Sequence, residues 1–232
     1  MCIGLSDFPE WLIRKLEDVR HIATRTEKDR LNPLWQEVLE RTGMEQYRIQ
    51  LYLIDTMDIN AMAVGLHTVA LNRGLIENMS DEQVKGILAH ELGHIKNFDS
   101  QEAILIKVLT LPFMWSFYTL DFLLTFIIRH LENNIFSNIL AFLKYIVDIA
   151  INIVAFIATA IIGKSSRQQE YLADKFASEQ GYNVELTSAL YFIYSMEISD
   201  KRNIMQQFQA THPKTAYRIE QLEQLVESLN SN

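Results

Sequence analysis

Two long apolar runs constrain this chain more than any other feature. Residues 103–128 read AILIKVLTLPFMWSFYTLDFLLTFII, and residues 135–163 read IFSNILAFLKYIVDIAINIVAFIATAIIG. At helical rise each reaches about 40 Å, more than the ~30 Å hydrocarbon core of a bilayer. Apolar side chains surround both predicted helices, so neither has a polar face to give to water. Charge interrupts each run, at Lys107 and Asp121 in the first and at Lys144 and Asp148 in the second. Two readings follow. In one, a hairpin enters a membrane, with Lys144 and Asp148 paired four apart and Asp121 facing the other helix. In the other, the hairpin is buried within a soluble protein or at an oligomer interface. Lys96, Lys164 and Arg167 flank the outer ends, while the turn sets Arg129 against Glu132. In the membrane reading that bias puts both flanks on the cytosolic side.

The rest of the chain is polar enough to fold in water. Of 232 residues, 22% are charged, and the formal net charge is -8. An acidic chain with a pI near 5.3 has no basic surplus to neutralise phosphates, which excludes an ordinary nucleic-acid partner. The single cysteine, Cys2, excludes an intramolecular disulfide. Asp7, Glu10, Arg14 and Lys15 arrive too early for a cleavable signal peptide.

Periodicity divides the chain into 1–44, 45–102, the apolar 103–163 and 164–232. Phe8, Trp11, Leu12, Leu16, Val19 and Ile22 predict an amphipathic helix over 7–30. A second helix is expected from NPLWQEVLERTG, with Asn32 as N-cap, Pro33 first and Gly43 at its end. YRIQLYLID alternates as a strand, and NAMAVGLHTVALNRG reads as a loop followed by a strand around Val69–Leu71. SDEQVKGILAHELGHIK then opens a helix with a Ser80–Gln83 capping box, and Asp81 and Glu82 complement its dipole. Gly86 and Gly93 inside it predict a close approach by another backbone or a ligand. Three polar helices are expected after 164: SRQQEYLADKFASEQG, residues 184–209, and HPKTAYRIEQLEQLVESL. The class is mainly α with a small β-sheet, an α+β fold.

HELGH places His90 and His94 four apart on one helical face, with Glu91 beside them. Alone the pattern is a hypothesis, since H-E-x-x-H also arises by chance. A hydrolytic zinc needs three protein ligands and one open position. A third histidine six residues after His94 is absent, because Ser100 stands there, so a carboxylate on another helix is the better candidate. EYLAD offers one. Glu170 could ligate a metal while Asp174, four residues on, holds a histidine ring through its distal N–H. By itself E-x-x-x-D is more often a solvated charged face.

NAMAVG, ILAHELGHIKNFD, two apolar segments, SRQQEYLADKFA and THPKTAYRIEQL follow one another in an order that resembles the HtpX-like membrane zinc metalloproteases. The CAAX prenyl endopeptidase belongs to the same superfamily. The resemblance covers roughly residues 45–225 and implies a gluzincin-type metalloprotease core with the apolar hairpin inserted between its zinc motifs. It implies one Zn2+ per chain held by His90, His94 and Glu170, Glu91 as general base and Asp174 behind a histidine. It further implies that His212 and Arg218 stabilise an oxyanion or bind substrate. Asn60, Ala61, Ala63 and Gly65 would lead into an edge strand pairing with an extended peptide, the strand near His67–Leu71 holding it. The expected activity is peptide hydrolysis, with polypeptides, membrane or unfolded proteins among them, as substrates and lipid as a partner. The expected place is a bacterial inner membrane or its equivalent, with the active site on the cytosolic side. Two alternatives are a soluble zinc peptidase and a non-catalytic, membrane-anchored relative.

Overall fold

In the computed structural model, which describes residues 8–130, 135–198 and 215–230, the chain first departs from expectation after Leu16. The predicted helix over 7–30 is instead α1 (Phe8–Leu16), a short strand β1 (Arg20–His21) and the start of α2 (Arg25–Thr42). Thr24 and Glu27 form a reciprocal capping box: Thr24 Oγ1 accepts from Glu27 N–H at 3.2 Å, and Glu27 Oε2 accepts from Thr24 N–H at 3.0 Å. That box satisfies two orphan donors and starts α2 well before Asn32, so Pro33 is carried inside the helix. Gly43 ends α2 in a left-handed turn, φ 65, as its position predicts. Arg20 fixes the preceding segment by donating to Asp55 at 2.6 and 2.9 Å and to Glu27 at 2.7 and 3.2 Å.

Strands β2 (Gln50–Ile54), β3 (Ala61–Val64) and β4 (Thr68–Asn72) join β1 in a sheet of order β1-β2-β4-β3. β2 and β4 run parallel, with Leu51 opposite Val69 and Leu53 opposite Leu71. β3 returns antiparallel to β4, with Ala61 opposite Leu71 and Ala63 opposite Val69. Two expectations change here. The NAMAVG segment is a strand itself rather than a loop, and it forms the sheet edge. β4, around Val69–Leu71, is paired on both sides and buried at every residue, so it has no free edge for a peptide. Nor does β2 alternate in burial: Leu51 through Ile54 are all covered. One sheet face, with Leu51, Leu53, Val69 and Leu71, joins the main core; the other gathers Tyr52, Ile54 and Ala70 with Val19 and Met62.

After α3 (Arg73–Asn78), α4 (Asp81–Lys96) runs through the middle of that core. The Ser80–Gln83 capping box is present, and every residue from Val84 to Ile95 is buried. Next come α5 (Asp99–His130), α6 (Ile135–Ala177), a wider turn Ser178–Tyr182, α7 (Asn183–Ile198) and α8 (Thr215–Asn230). The glycines of α4 meet backbone. A Cβ on Gly86 would enter the chain at Glu185 and Leu186 of α7, and one on Gly93 would lie 2.8 Å from Ala173 Cα of α6.

The chain divides into two compact units, Met1–Glu102 with Ser166–Asn232, and Ala103–Ser165. Within the second, Lys144 pairs with Asp148 at 2.8 Å and with Asp121. Its described surface exposes large apolar side chains, among them Trp115, Tyr118, Phe122, Ile135, Phe136 and Phe142, each between 62% and 72% accessible. Among the described residues no helix is long and apolar enough to cross a membrane. Cys2, His212 and Pro213 lie outside the described residues.

Candidate metal centre

The helical repeat of α4 stacks His90 and His94 on adjacent turns, and their Nε2 atoms come within 3.1 Å of each other. α6 supplies the third group: Glu170 Oε2 is 3.5 Å from His90 Nε2, and Oε1 is 3.4 Å from His94 Nε2. A tetrahedral ion with bonds of ~2.0–2.1 Å spaces its ligand atoms about 3.3 Å apart. The triangle of 3.1, 3.4 and 3.5 Å therefore fits one small cation. Two imidazoles with one carboxylate are also the donor set of a hydrolytic metal site. Among the described residues these three form the group able to hold an ion.

The distal nitrogens are held too. His90 Nδ1 lies 2.8 Å from Asp174 Oδ1, and His94 Nδ1 lies 2.9 Å from Asp99 Oδ2. Such carboxylates fix the tautomer and aim the free nitrogen at the ion. Asp174 stands where the Glu170 spacing placed it, whereas Asp99 was not picked out from the sequence. The only trace of it was the final residue of HIKNFD. Phe98 takes a left-handed conformation, φ 61, between α4 and α5, and the resulting bend returns Asp99 to His94. A spacing rule for one continuous helix misses such a contact.

Arg218, expected to meet substrate or an oxyanion, is 5% exposed and turned toward the carboxylates. Its guanidinium donates to Asp174 through Nε at 2.8 Å and Nη2 at 2.6 Å, and Nη1 lies 3.1 Å from Glu170 Oε2. This two-pronged geometry fixes both side chains of α6 from α8. Glu91, 2% exposed, adds a fourth buried carboxylate to Asp99, Glu170 and Asp174.

One arginine does not balance four buried acids, and the histidines register the surplus. Burial disfavours a charged His94, but the hydrogen bond to Asp99 and then Glu170 outweigh it and raise its pKa to about 10. His90 is also raised: burial and Arg218 oppose its charge, and Asp174 with Glu170 overcome them. Burial pushes Asp174 upward, yet the charge and hydrogen bonds of Arg218 hold it below the usual carboxylate range. Without an ion the site thus collects protons, and a dication replaces them.

The other expected residues surround the edge strand. β3, with Ala61 and Ala63, packs against α4. Asn60 is 5% exposed, and its carbonyl accepts from Asn72 N–H at 3.0 Å. Gly65, φ 61, opens the turn where Glu10 Oε1 accepts from the N–H groups of Leu66 and His67 at 2.5 and 3.3 Å.

Comparison with known proteins agrees with this arrangement. Residues 25–226 match the family model of peptidase family M48. A protease HtpX homolog of Bacteroides fragilis is 30% identical over 234 residues, covering 86% of this chain and 70% of that protein. One from Aquifex aeolicus is 28% identical over 225 residues, covering 86% and 72%. The crystal structure of S. mikatae Ste24p superposes with a TM-score of 0.58 at 17% identity, over 95% of this chain. The chain spans 55% of the length of Ste24p, and this likeness concerns the fold alone. With a matched span that includes every residue of the metal triangle, the chain belongs to peptidase family M48 and is an HtpX-like metalloprotease.

Proposed function

We propose that the protein is a zinc-dependent endopeptidase, with zinc held by His90, His94 and Glu170. The observation that carries this reading is the ligand triangle of 3.1–3.5 Å between the two Nε2 atoms and the Glu170 carboxylate. A bound zinc supplies Lewis acidity, polarising the scissile carbonyl and acidifying water. Glu91 takes the proton of the attacking water and passes it to the leaving amine. Asp174 and Asp99 keep the two imidazoles neutral and correctly aimed when the metal is present. Arg218 acts through Glu170 and Asp174, as a positioning residue. His212 stabilises the developing oxyanion in this reading, which rests on the HPKTAYR motif. The edge strand β3, from Ala61 to Val64, lies where an extended polypeptide would add to the sheet by main-chain hydrogen bonds, so selection by side chain is weak.

The same proposal makes the 103–165 unit a lipid-contacting part. Its exposed aromatic and aliphatic side chains exceed what a water-facing surface carries, and its Lys144 is paired with both Asp121 and Asp148. Lys96, Lys164 and Arg167 at its borders favour the cytosolic side for the catalytic unit.

Detergent-purified protein should cleave casein, lose that activity to a chelator and regain it with zinc. Glu91→Gln should keep zinc and lose cleavage; normal turnover would remove Glu91 from its role. Carbonate extraction without detergent would refute the lipid-contacting part and leave the chemistry standing.

A further inference from the structure

Helix α1 lies before residue 25, where the family match begins, yet it reaches into the turn that ends the edge strand β3. No described side chain of α1 belongs to either apolar core cluster, and Trp11, Leu12 and Leu16 are exposed. Polar contacts hold the helix instead. Glu10, 6% exposed, accepts through Oε1 from Leu66 N–H at 2.5 Å and His67 N–H at 3.3 Å. Its Oε2 accepts from Thr68 Oγ1 at 3.2 Å. Arg14 donates to the same Thr68 oxygen at 3.1 Å and to Tyr52 Oη at 3.0 Å. Gly65 is at φ 61, and a Cβ there would run into the Glu10 side chain, so the turn is shaped around that carboxylate.

These contacts converge on one place. Residues 65–67 are the whole connection between β3 and β4, and Thr68 pairs with Val64, the last residue of β3. Backbone donors in so tight a turn lack a strand partner, and Glu10 supplies their acceptor. From the other side, His67 C=O accepts from Gln50 N–H of β2 at 2.8 Å. β3 has only four residues and packs on α4, the helix that carries His90, Glu91 and His94. A strand this short has few ladder bonds of its own, so the turn that ends it fixes its register. We propose that Glu10 is a positioning residue for substrate: from α1 it fixes the β3–β4 turn and so holds β3 in the register to which an extended polypeptide adds. The inference rests on the edge-strand reading above. Glu10 acts through the backbone and has no part in the metal triangle. An edge that is ordered in advance spares the substrate that cost, so the contribution falls on binding rather than on the chemical step.

The test measures KM and kcat of the zinc-loaded, detergent-purified full chain on a quenched-fluorescence casein peptide. Glu10→Ala is expected to raise KM by at least about fivefold with kcat within about twofold of the parent, since pre-organisation is lost and the chemistry is not. Glu10→Gln keeps an acceptor at the same reach and should hold KM within about threefold of the parent. Glu10→Asp, one methylene shorter, should behave as Glu10→Ala, and it carries the test if Glu10→Ala does not fold. A merely structural role would lower the active fraction, and so kcat, without this split. An unchanged KM, or a fall in kcat at unchanged KM, overturns the proposal. Two copies of the peptide, N-methylated at successive amides beside the scissile bond, test the strand reading separately: for the parent, one of them should show a KM at least about tenfold higher. If neither does, the edge-strand reading falls and takes this proposal with it. If one does while Glu10→Ala keeps a normal KM, this proposal alone falls.

Discussion

Asp99 reaches back across the α4–α5 junction to hold His94 Nδ1 at 2.9 Å, so each histidine of the metal triangle has its own buried carboxylate. The pairing is asymmetric. Asp174 also answers to Arg218, whereas Asp99 has His94 as its partner among the described contacts. We predict that Asp99→Ala lowers zinc affinity by roughly 10–100-fold, through loss of ring orientation and basicity. Competition against a chelator of known affinity measures it. An unchanged constant would show that α4 alone aims His94.

Among the described residues Arg218 is the one arginine or lysine packed directly against Glu170 and Asp174, which otherwise face the two histidines. Removing it breaks a buried ion pair and leaves Glu170 and Asp174 with only the histidines beside them, and loss of one partner of a buried pair destabilises a fold by about 3–5 kcal/mol. Arg218→Ala should therefore unfold at distinctly lower urea in the metal-free state, with part of the loss recovered by saturating zinc. A variant as stable as the parent would mean that the carboxylates simply take up protons.

Gly93→Ala places a methyl group against Ala173 Cα, on the line by which α6 brings Glu170 to α4. Overpacking of this kind costs about 1–3 kcal/mol. Here it should also reduce zinc binding, since the two helices must separate. Melting temperature and zinc stoichiometry should fall together, and a drop in stability with full zinc binding would uncouple them.

The Arg20 clamp predicts an acid dependence separate from the metal. Arg20 hydrogen bonding holds the Glu27 carboxyl down to about 2 against an ordinary 4.5. A folded-state pKa below the unfolded one gives stability that is present above about pH 4.5 and lost as pH falls toward 2. In metal-free protein, the gap in stability between the parent and Glu27→Gln should be full at pH 7 and narrowed at pH 3. A gap that does not change with pH would assign the effect to the Thr24 cap alone.

What could be read from the sequence was the part carried by short, regular spacing. The Ser80–Gln83 box, the stacked pair His90 and His94, and Glu170 with Asp174 are all local relations along one helix, and the folded chain retains them. The close contacts at Gly86 and Gly93 were legible for the same reason. Relations that depend on a break were not. The bend at Phe98 hid Asp99, and the Thr24–Glu27 box overrode an apolar periodicity that ran on through β1. Nor does the sequence rank sheet neighbours. NAMAVG reads as a loop in the sequence, whereas it forms β3, whose Ala61 and Ala63 suit its close packing on α4. The direction of Arg218 depends on a third helix, which no spacing within HPKTAYR specifies.

The order in which the site residues occur along the chain has a consequence for biosynthesis. His90 and His94 emerge first, the whole of 103–165 follows, and only then come Glu170, Asp174 and Arg218. A nascent chain that has reached its apolar segment carries two of the three ligands and neither Glu170 nor Asp174. The enzyme is thus unarmed throughout the interval in which its greasiest stretch is being made, and becomes competent only as the last helix is translated.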